Sequence, residues 1–209
     1  MSFSEAILEN NKGVACLNSN DFWNAIDCFS ISLKLQKAHD VANTNHNLDN
    51  QDECLVDQCM LLRDTNEDDE ESPAHTFVYD QGIMLLPSVQ DPAVVASIAI
   101  FNLALAYHLM ATRNHDGVCS ELLQKACRLY QVAHKVQNMT DNALFQFAIL
   151  NNIAVIYREI GNESVANNCI DYLMPVFMMF VDRGRFEELR HVRGFLVNVP
   201  CTLVTAAAA

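Results

Sequence analysis

A six-residue pattern occurs twice in this chain and limits its fold. Residues 102–107 are Asn-Leu-Ala-Leu-Ala-Tyr, and residues 152–157 are Asn-Ile-Ala-Val-Ile-Tyr. Residues three or four apart lie on one face of an α-helix, so each pattern sets a small residue beside an aromatic ring. A small residue lets a second helix approach closely. Repetition at this spacing therefore predicts stacked helix pairs rather than a sheet.

Breaks in the apolar periodicity divide the chain into seven predicted helices. Asp91-Pro92 is a typical helix start, Gly161 a typical helix end, and Asn162 a typical N-cap for the helix that follows. The predicted helices cover residues 4–18, 22–39, 92–113, 119–137, 140–160, 163–181 and 186–197.

The small and aromatic positions resemble the tetratricopeptide repeat (TPR). Gly13, Ala104 and Ala154 align on the first helix of each pair, and 12 residues separate Gly13 from Ala25 and Ala154 from Ala166. The second pair is stretched, since 22 residues separate Ala104 from Ala126. The chain is also similar to a group of uncharacterised algal TPR-like proteins.

This resemblance implies an all-α fold with three TPR-like antiparallel helix pairs in a right-handed array and a C-terminal helix. We expect one TPR-like domain over residues 1–200, with an insert at 40–90 and a flexible alanine-rich tail at 201–209.

Net charge is −13, and much of it belongs to the insert. Ten acidic residues and one basic residue lie between positions 47 and 72. This acidic part is predicted to be a partly disordered loop. A chain without a basic face is a poor nucleic-acid binder, so nucleic acid is excluded as a partner.

Residues 93–111 carry no charge, which a membrane-spanning helix and a helix buried in a bundle have in common. Because this stretch also carries the repeat pattern, we favour the buried helix and expect no membrane partner. Eight cysteines without a CxxC motif, and no signal peptide at the start, suggest a reducing compartment. We expect a cytoplasmic protein, with the nucleus as a second option.

Catalytic motifs are not found in the sequence. It has no P-loop, HExxH, GxSxG or GxGxxG pattern, and its histidines are scattered singly. We therefore predict no enzyme activity, no cofactor and no metal site. His115 and Cys119 are four apart, but no second pair lies at zinc spacing.

In TPR domains the first helix of each pair lines the concave face, and Asn11, Asn102 and Asn152 align there. An amide both donates and accepts hydrogen bonds, which suits an extended peptide backbone. The alternative is that these asparagines only join neighbouring helices. The positions predicted to line the groove are Asn11, Phe101, Asn102, Leu105, His108, Asn152, Val155 and Arg158.

The insert ends in an apolar run at residues 76–86. Asp80-Gln81-Gly82 sits between two apolar triplets, which is typical of a β-hairpin turn. Apolar side chains in a polar insert must pack somewhere. Either the run covers a flank of the bundle, or it fills the groove as a built-in ligand. The residues of this second option are Phe77, Tyr79, Ile83 and Leu85.

We expect a protein-interaction adaptor that binds an extended peptide segment of another protein in its concave groove. The alternative is a structural subunit of a fixed multiprotein or homo-oligomeric assembly, with no peptide groove in use.

Overall fold

All the regular elements of the described residues are helices. The computed structural model describes residues 3–43, 76–113, 119–137, 143–185 and 190–199. The predicted all-α fold class is confirmed at this level. The elements are α1 (Phe3–Asn18), α2 (Phe22–Asn43), α3 (Pro92–Arg113), α4 (Ser120–Gln137), α5 (Ala143–Glu159), α6 (Glu163–Asp182) and the 3₁₀ helix η1 (Arg193–Asn198).

The helix ends follow the predicted capping chemistry. The carboxylate of Asp91 accepts the N–H of Ala93 at 2.8 Å, beside Pro92 at the first helical position. The side chain of Asn162 accepts the N–H of Val165 at 3.3 Å. Gly161 adopts a positive φ of 79°, which is typical of the residue that ends a helix.

The helices group into two compact units. Unit 1 holds α1 to α4 with residues 80–91, and unit 2 holds residues 76–79 with α5, α6 and η1. Within unit 1, asparagine side chains bond residues 83 and 85 of the apolar run. Within unit 2, asparagine side chains bond residues 77 and 79.

In unit 1, α1 and α2 pack as an antiparallel pair. The Ser32 hydroxyl of α2 donates to the carbonyl of Ala6 near the start of α1, at 2.7 Å. Closer to the connection, the Phe29 ring lies directly on Gly13. A Cβ added there would come within 2.5 Å of the ring. The glycine is therefore required for this close approach of the two helices.

Helix α3 is the core of unit 1. It packs against α2 on one side and α4 on the other, where the rings of Phe101 and Tyr130 lie 5.5 Å apart. The helix is long and apolar enough to span a membrane, with a mean hydropathy of 1.9 over an 18-residue window. However, 78% of that window is buried inside the protein. Packing between neighbouring helices thus accounts for its apolar composition.

In unit 2, α5 packs against α6, and the Phe195 ring of η1 packs edge-on against Phe147 of α5 with centroids 4.8 Å apart. In the predicted C-terminal helix over residues 186–197, residues 190–192 are α-helical and residues 193–198 form a 3₁₀ helix, while residues 186–189 lie outside the described part of the chain. Helix α6 is also long and apolar enough to span a membrane, and only 22% of its apolar window is buried.

The β-hairpin expected around Asp80-Gln81-Gly82 is not found, since residues 76–86 contain neither strand nor bridge. Side chains rather than a second strand bond the backbone here, as described below. Gly82 packs against Val14 and Leu17 of α1, so the glycine serves a close approach rather than a hairpin turn. The acidic loop, His115 and the alanine-rich tail lie outside the described residues.

Candidate functional site

Two asparagines of unit 1 bind the backbone of the apolar run. The Asn102 amide donates to the carbonyl of Ile83 and accepts its N–H, both at 2.8 Å. The Asn11 amide does the same to Leu85, donating at 2.7 Å and accepting at 2.8 Å. We call such a pair of bonds to one residue an asparagine clamp. It reproduces the two bonds that paired residues exchange in an antiparallel sheet.

A third asparagine ties these two clamps together. Asn10 donates to the carbonyl of Ile83 at 3.1 Å and accepts from the amide of Asn102 at 3.0 Å. It also lies 3.2 Å from the side-chain oxygen of its neighbour Asn11. Each amide therefore fixes the orientation of the next, which favours one arrangement of the whole triad.

Unit 2 contains the same triad. Asn152 of α5 clamps Tyr79, accepting its N–H at 2.9 Å and donating to its carbonyl at 3.0 Å. Asn198 of η1 clamps Phe77 with bonds of 2.9 and 2.7 Å. The linking residue is Asn151, which donates to the carbonyl of Phe77 at 3.1 Å and accepts from Asn198 at 2.7 Å.

The two triads correspond bond for bond. In each, adjacent asparagines on one helix act with a third asparagine from a later element. The third asparagine, Asn102 in unit 1 and Asn198 in unit 2, clamps one residue of the run. The second member of the adjacent pair, Asn11 or Asn152, clamps the residue two positions later. Alternate residues of an extended chain present their backbone groups to the same side, which accounts for the step of two.

Most of these amides are buried. Asn10, Asn102, Asn151, Asn152 and Asn198 are at most 1% exposed. A buried amide without partners destabilises a fold by about 1–3 kcal/mol, so bonds to the run are a condition for keeping these side chains inside. Asn11 is half-buried, at the edge of the triad in unit 1.

At residues 83–86 the side chains of the clamped residues point inward and the others outward. Ile83 and Leu85 are buried, whereas Met84 and Leu86 are exposed. In unit 2 the clamped Tyr79 is buried, while the clamped Phe77 and the intervening Val78 are both half-buried. Clamping and apolar burial thus select the same alternate positions in unit 1.

Aromatic packing holds the clamped residues of unit 2. The Phe77 ring lies against Gly194 of η1, where any Cβ would overlap it, and meets the Tyr79 ring edge-on at 4.9 Å between centroids. The Tyr79 hydroxyl is buried and has no hydrogen-bond partner among the described residues, and burial raises its pKa well above the ordinary value.

Comparison of the chain with protein-family models, curated proteins and solved structures gave no match. Function is therefore inferred from the contacts of the chain's own residues.

The other residues predicted to line the groove have different surroundings. Phe101, Leu105 and Val155 are buried in their units. His108 is fully buried, with its ring edge-on to Tyr130 at 6.1 Å, and neither ring nitrogen has a partner among the described residues. It presents no surface to a partner in this state, and burial lowers its pKa to about 4.

Arg158 acts within unit 2. Its guanidinium donates to the backbone carbonyl of Asn198 at 3.0 Å and lies 3.4 Å from the carboxylate of Glu163. It therefore supports the element that carries a clamp.

Asn10, Asn151 and Asn198 are not among the site residues predicted from the sequence. The first two had a visible signal. Asn10-Asn11 and Asn151-Asn152 are adjacent pairs, each followed by any residue, a small residue and valine. Asn198 had none, since it lies in the 3₁₀ helix beyond the last recognised repeat.

Proposed function

We propose that this chain is a protein-interaction adaptor of TPR-like architecture whose asparagine clamps bind an extended peptide backbone. The occupant in this structure is its own run of residues 77–85. An outside peptide would then bind by taking the place of this run, which makes the run a self-occluding segment. The partner is another protein with an extended segment of alternating apolar residues.

The observation that carries the proposal is the clamp itself, made at four residues by side chains of one type. Each clamp bonds only the N–H and the carbonyl of the residue that it holds, groups that every residue except proline offers. Such contacts fix the conformation and register of a bound chain without selecting its side chains. This is the property that an adaptor for extended segments needs.

The TPR-like architecture has support of its own. The Phe29 ring packs on Gly13 in the first pair, and Ala104, Ala126 and Tyr130 are fully buried in the second. In the third, Ala154 and Ala166 are buried in the same way. These are the small and aromatic positions on which the resemblance rests.

A structural subunit remains the second candidate because the clamps are occupied. Release of the run would leave five buried amides without their partners, and each would destabilise the fold by about 1–3 kcal/mol. Exchange is feasible only if an incoming peptide supplies the same N–H and carbonyl groups. In the alternative the run stays bound, and the outer faces of the helices make fixed contacts in an assembly.

A proline scan of the full-length chain separates the two candidates. Ile83→Pro removes the N–H that Asn102 accepts and so weakens the chain's own run at one clamp. Met84→Pro is the matched control, since Met84 is exposed and its N–H is not held by a clamp. The probe is a fluorescent peptide with the sequence of residues 76–86.

An adaptor with a displaceable run should bind the probe roughly tenfold more tightly as Ile83→Pro than as wild type, because apparent affinity rises with the fraction of open sites. Met84→Pro should resemble wild type. Adding Asn11→Ala, which removes the other clamp of unit 1, to Ile83→Pro should weaken the binding again. If folded Ile83→Pro binds the probe no better than wild type, the run is a fixed part of the fold and the structural subunit is the better interpretation.

A further inference from the structure

An open cleft begins where the clamped run ends in unit 1. Its volume is about 320 Å³, and its lining residues are Ser4, Glu5, Ile7, Leu8, Asn11 and Pro87. Asn11 is the last clamp of the run, and Pro87 is the residue two positions after the clamped Leu85. The cleft thus adjoins the next position in the step of two that the clamps follow.

The chain's own run does not use this position. Proline has no N–H to offer, so the bonding pattern cannot continue at residue 87. Residues 87 and 88 instead form a turn, in which the N–H of Val89 donates to the carbonyl of Leu86 at 3.1 Å. The backbone leaves the direction of the run there and continues into α3.

The lining of the cleft favours an apolar side chain. Ile7 and Leu8 of α1 and Pro87 are the apolar residues of the lining. Ile7 is 4% exposed and Leu8 54% with the run in place. Glu5 brings a carboxylate to the lining, and none of the six lining residues is basic. An acidic side chain would therefore be disfavoured there.

We infer that this cleft is a specificity subsite for a bound partner peptide, which continues past the position of Leu85 and places an apolar side chain between Ile7 and Leu8. The inference rests on the proposed function. It gives an outside peptide a contact that the chain's own run lacks. The partner's segment would carry apolar residues at three successive alternate positions, where the chain's own run has Ile83, Leu85 and then proline.

The test uses synthetic peptides and the full-length chain, both as wild type and as Ile83→Pro. Each peptide has the sequence of residues 82–86 followed by leucine, alanine or aspartate and two further alanines. Titrations measure the affinity of each peptide for each protein. Competition from the chain's own run reduces all affinities by the same factor, so the ratios between peptides remain informative.

We expect the leucine peptide to bind roughly tenfold more tightly than the alanine peptide, from burial of its larger apolar side chain. The aspartate peptide should bind most weakly. Leu8→Asp places a charge in the cleft at an exposed position and should abolish the preference for leucine over alanine.

The outcomes are distinguishable. If the three peptides bind equally well, or if Leu8→Asp keeps the preference for leucine, the cleft is not a subsite, and the proposed function stands. If no peptide binds to wild type or to folded Ile83→Pro, both the subsite and the adaptor function are wrong.

Discussion

The side chain of Asn102 and the backbone of Ile83 form two hydrogen bonds of equal length, 2.8 Å each. One amide thereby satisfies the donor and the acceptor of one residue, as a neighbouring strand would. Both partners are buried, and Asn10 holds the amide in the orientation that makes this possible. The segment consequently gains the bonding of a sheet in a unit whose described elements are helices.

Loss of a clamp should destabilise the protein in proportion to its burial. Asn102→Ala removes both bonds to Ile83 and the contact with Asn10, and leaves buried groups unpaired, so we expect a loss of about 2–3 kcal/mol in the free energy of unfolding. Asn11 is half-buried, and water can replace some of its hydrogen bonds, so Asn11→Ala should lower the free energy of unfolding by about 1 kcal/mol.

Urea denaturation of the two variants measures this difference. Because Asn10 and Asn102 share a bond, the double variant Asn10→Ala/Asn102→Ala should lose less than the two single losses combined. Equal losses for Asn11→Ala and Asn102→Ala would contradict the view that burial decides the contribution of a clamp.

Much of this fold follows from periodicity and capping signals. The helix starts at Pro92 and Glu163 and the end at Gly161 were predictable, because local chemistry decides them. The last helix was not, since the 3₁₀ form of residues 193–198 accompanies tertiary contacts of Phe195 and Gly194 that no local pattern records.

The sequence pattern pointed to three of the clamping residues. Asn11, Asn102 and Asn152 each lie two residues before an aligned small residue, Gly13, Ala104 or Ala154. The residues that orient them do not recur in every repeat, and Asn198 lies beyond the last one. The hairpin expected at Asp80-Gln81-Gly82 had the right turn residues, but asparagine side chains supply the backbone bonds that a second strand would have made.

A charge at one clamp should make stability depend on pH. In Asn152→Asp the acceptor for the Tyr79 N–H is kept, but the donor to the Tyr79 carbonyl becomes a second oxygen. Burial raises the pKa of such a carboxyl above the ordinary value of about 3.9, so the folded protein favours the protonated acid, which can still donate.

The stability of Asn152→Asp should therefore approach that of wild type below about pH 4 and fall relative to wild type as pH rises through the raised pKa. At neutral pH we expect a deficit of about 3 kcal/mol or more, from an unpaired buried charge. Asn152→Ala, which has no titrating group, is the control. A deficit of Asn152→Asp that is constant from pH 4 to 8 would argue against a buried clamp at this position.

Removal of the Tyr79 hydroxyl should not destabilise the protein. This hydroxyl is buried without a partner among the described residues, so Tyr79→Phe removes a desolvated polar group and no hydrogen bond. We expect unchanged stability or a gain of up to about 1 kcal/mol. Tyr107→Phe is the matched control, because the Tyr107 hydroxyl accepts a 2.6 Å bond from the Lys125 ammonium and its loss should cost about 1 kcal/mol.

Thermal denaturation of the two variants at equal protein concentration compares them directly. A clear loss in Tyr79→Phe would mean that the hydroxyl has a partner after all, from water or from a residue outside the described part of the chain.

Protonation of His108 should be the source of part of the protein's acid sensitivity. Burial lowers the pKa of its imidazole from 6.5 to about 4, so the folded protein keeps it neutral where the unfolded chain takes up a proton. The stability that this site contributes is therefore complete above pH 6.5 and is lost as the pH falls towards 4, by about 3 kcal/mol in all. His108→Phe keeps an aromatic ring against Tyr130 and has no proton to bind, so between pH 6.5 and 4 it should lose less stability than wild type.

His134→Gln is the control. Burial also lowers the pKa of His134, but that side chain is only partly buried, and its replacement should flatten the pH profile less. Urea denaturation at half-unit steps of pH measures the three profiles, and parallel curves for wild type and His108→Phe would show that another group unfolds the protein in acid.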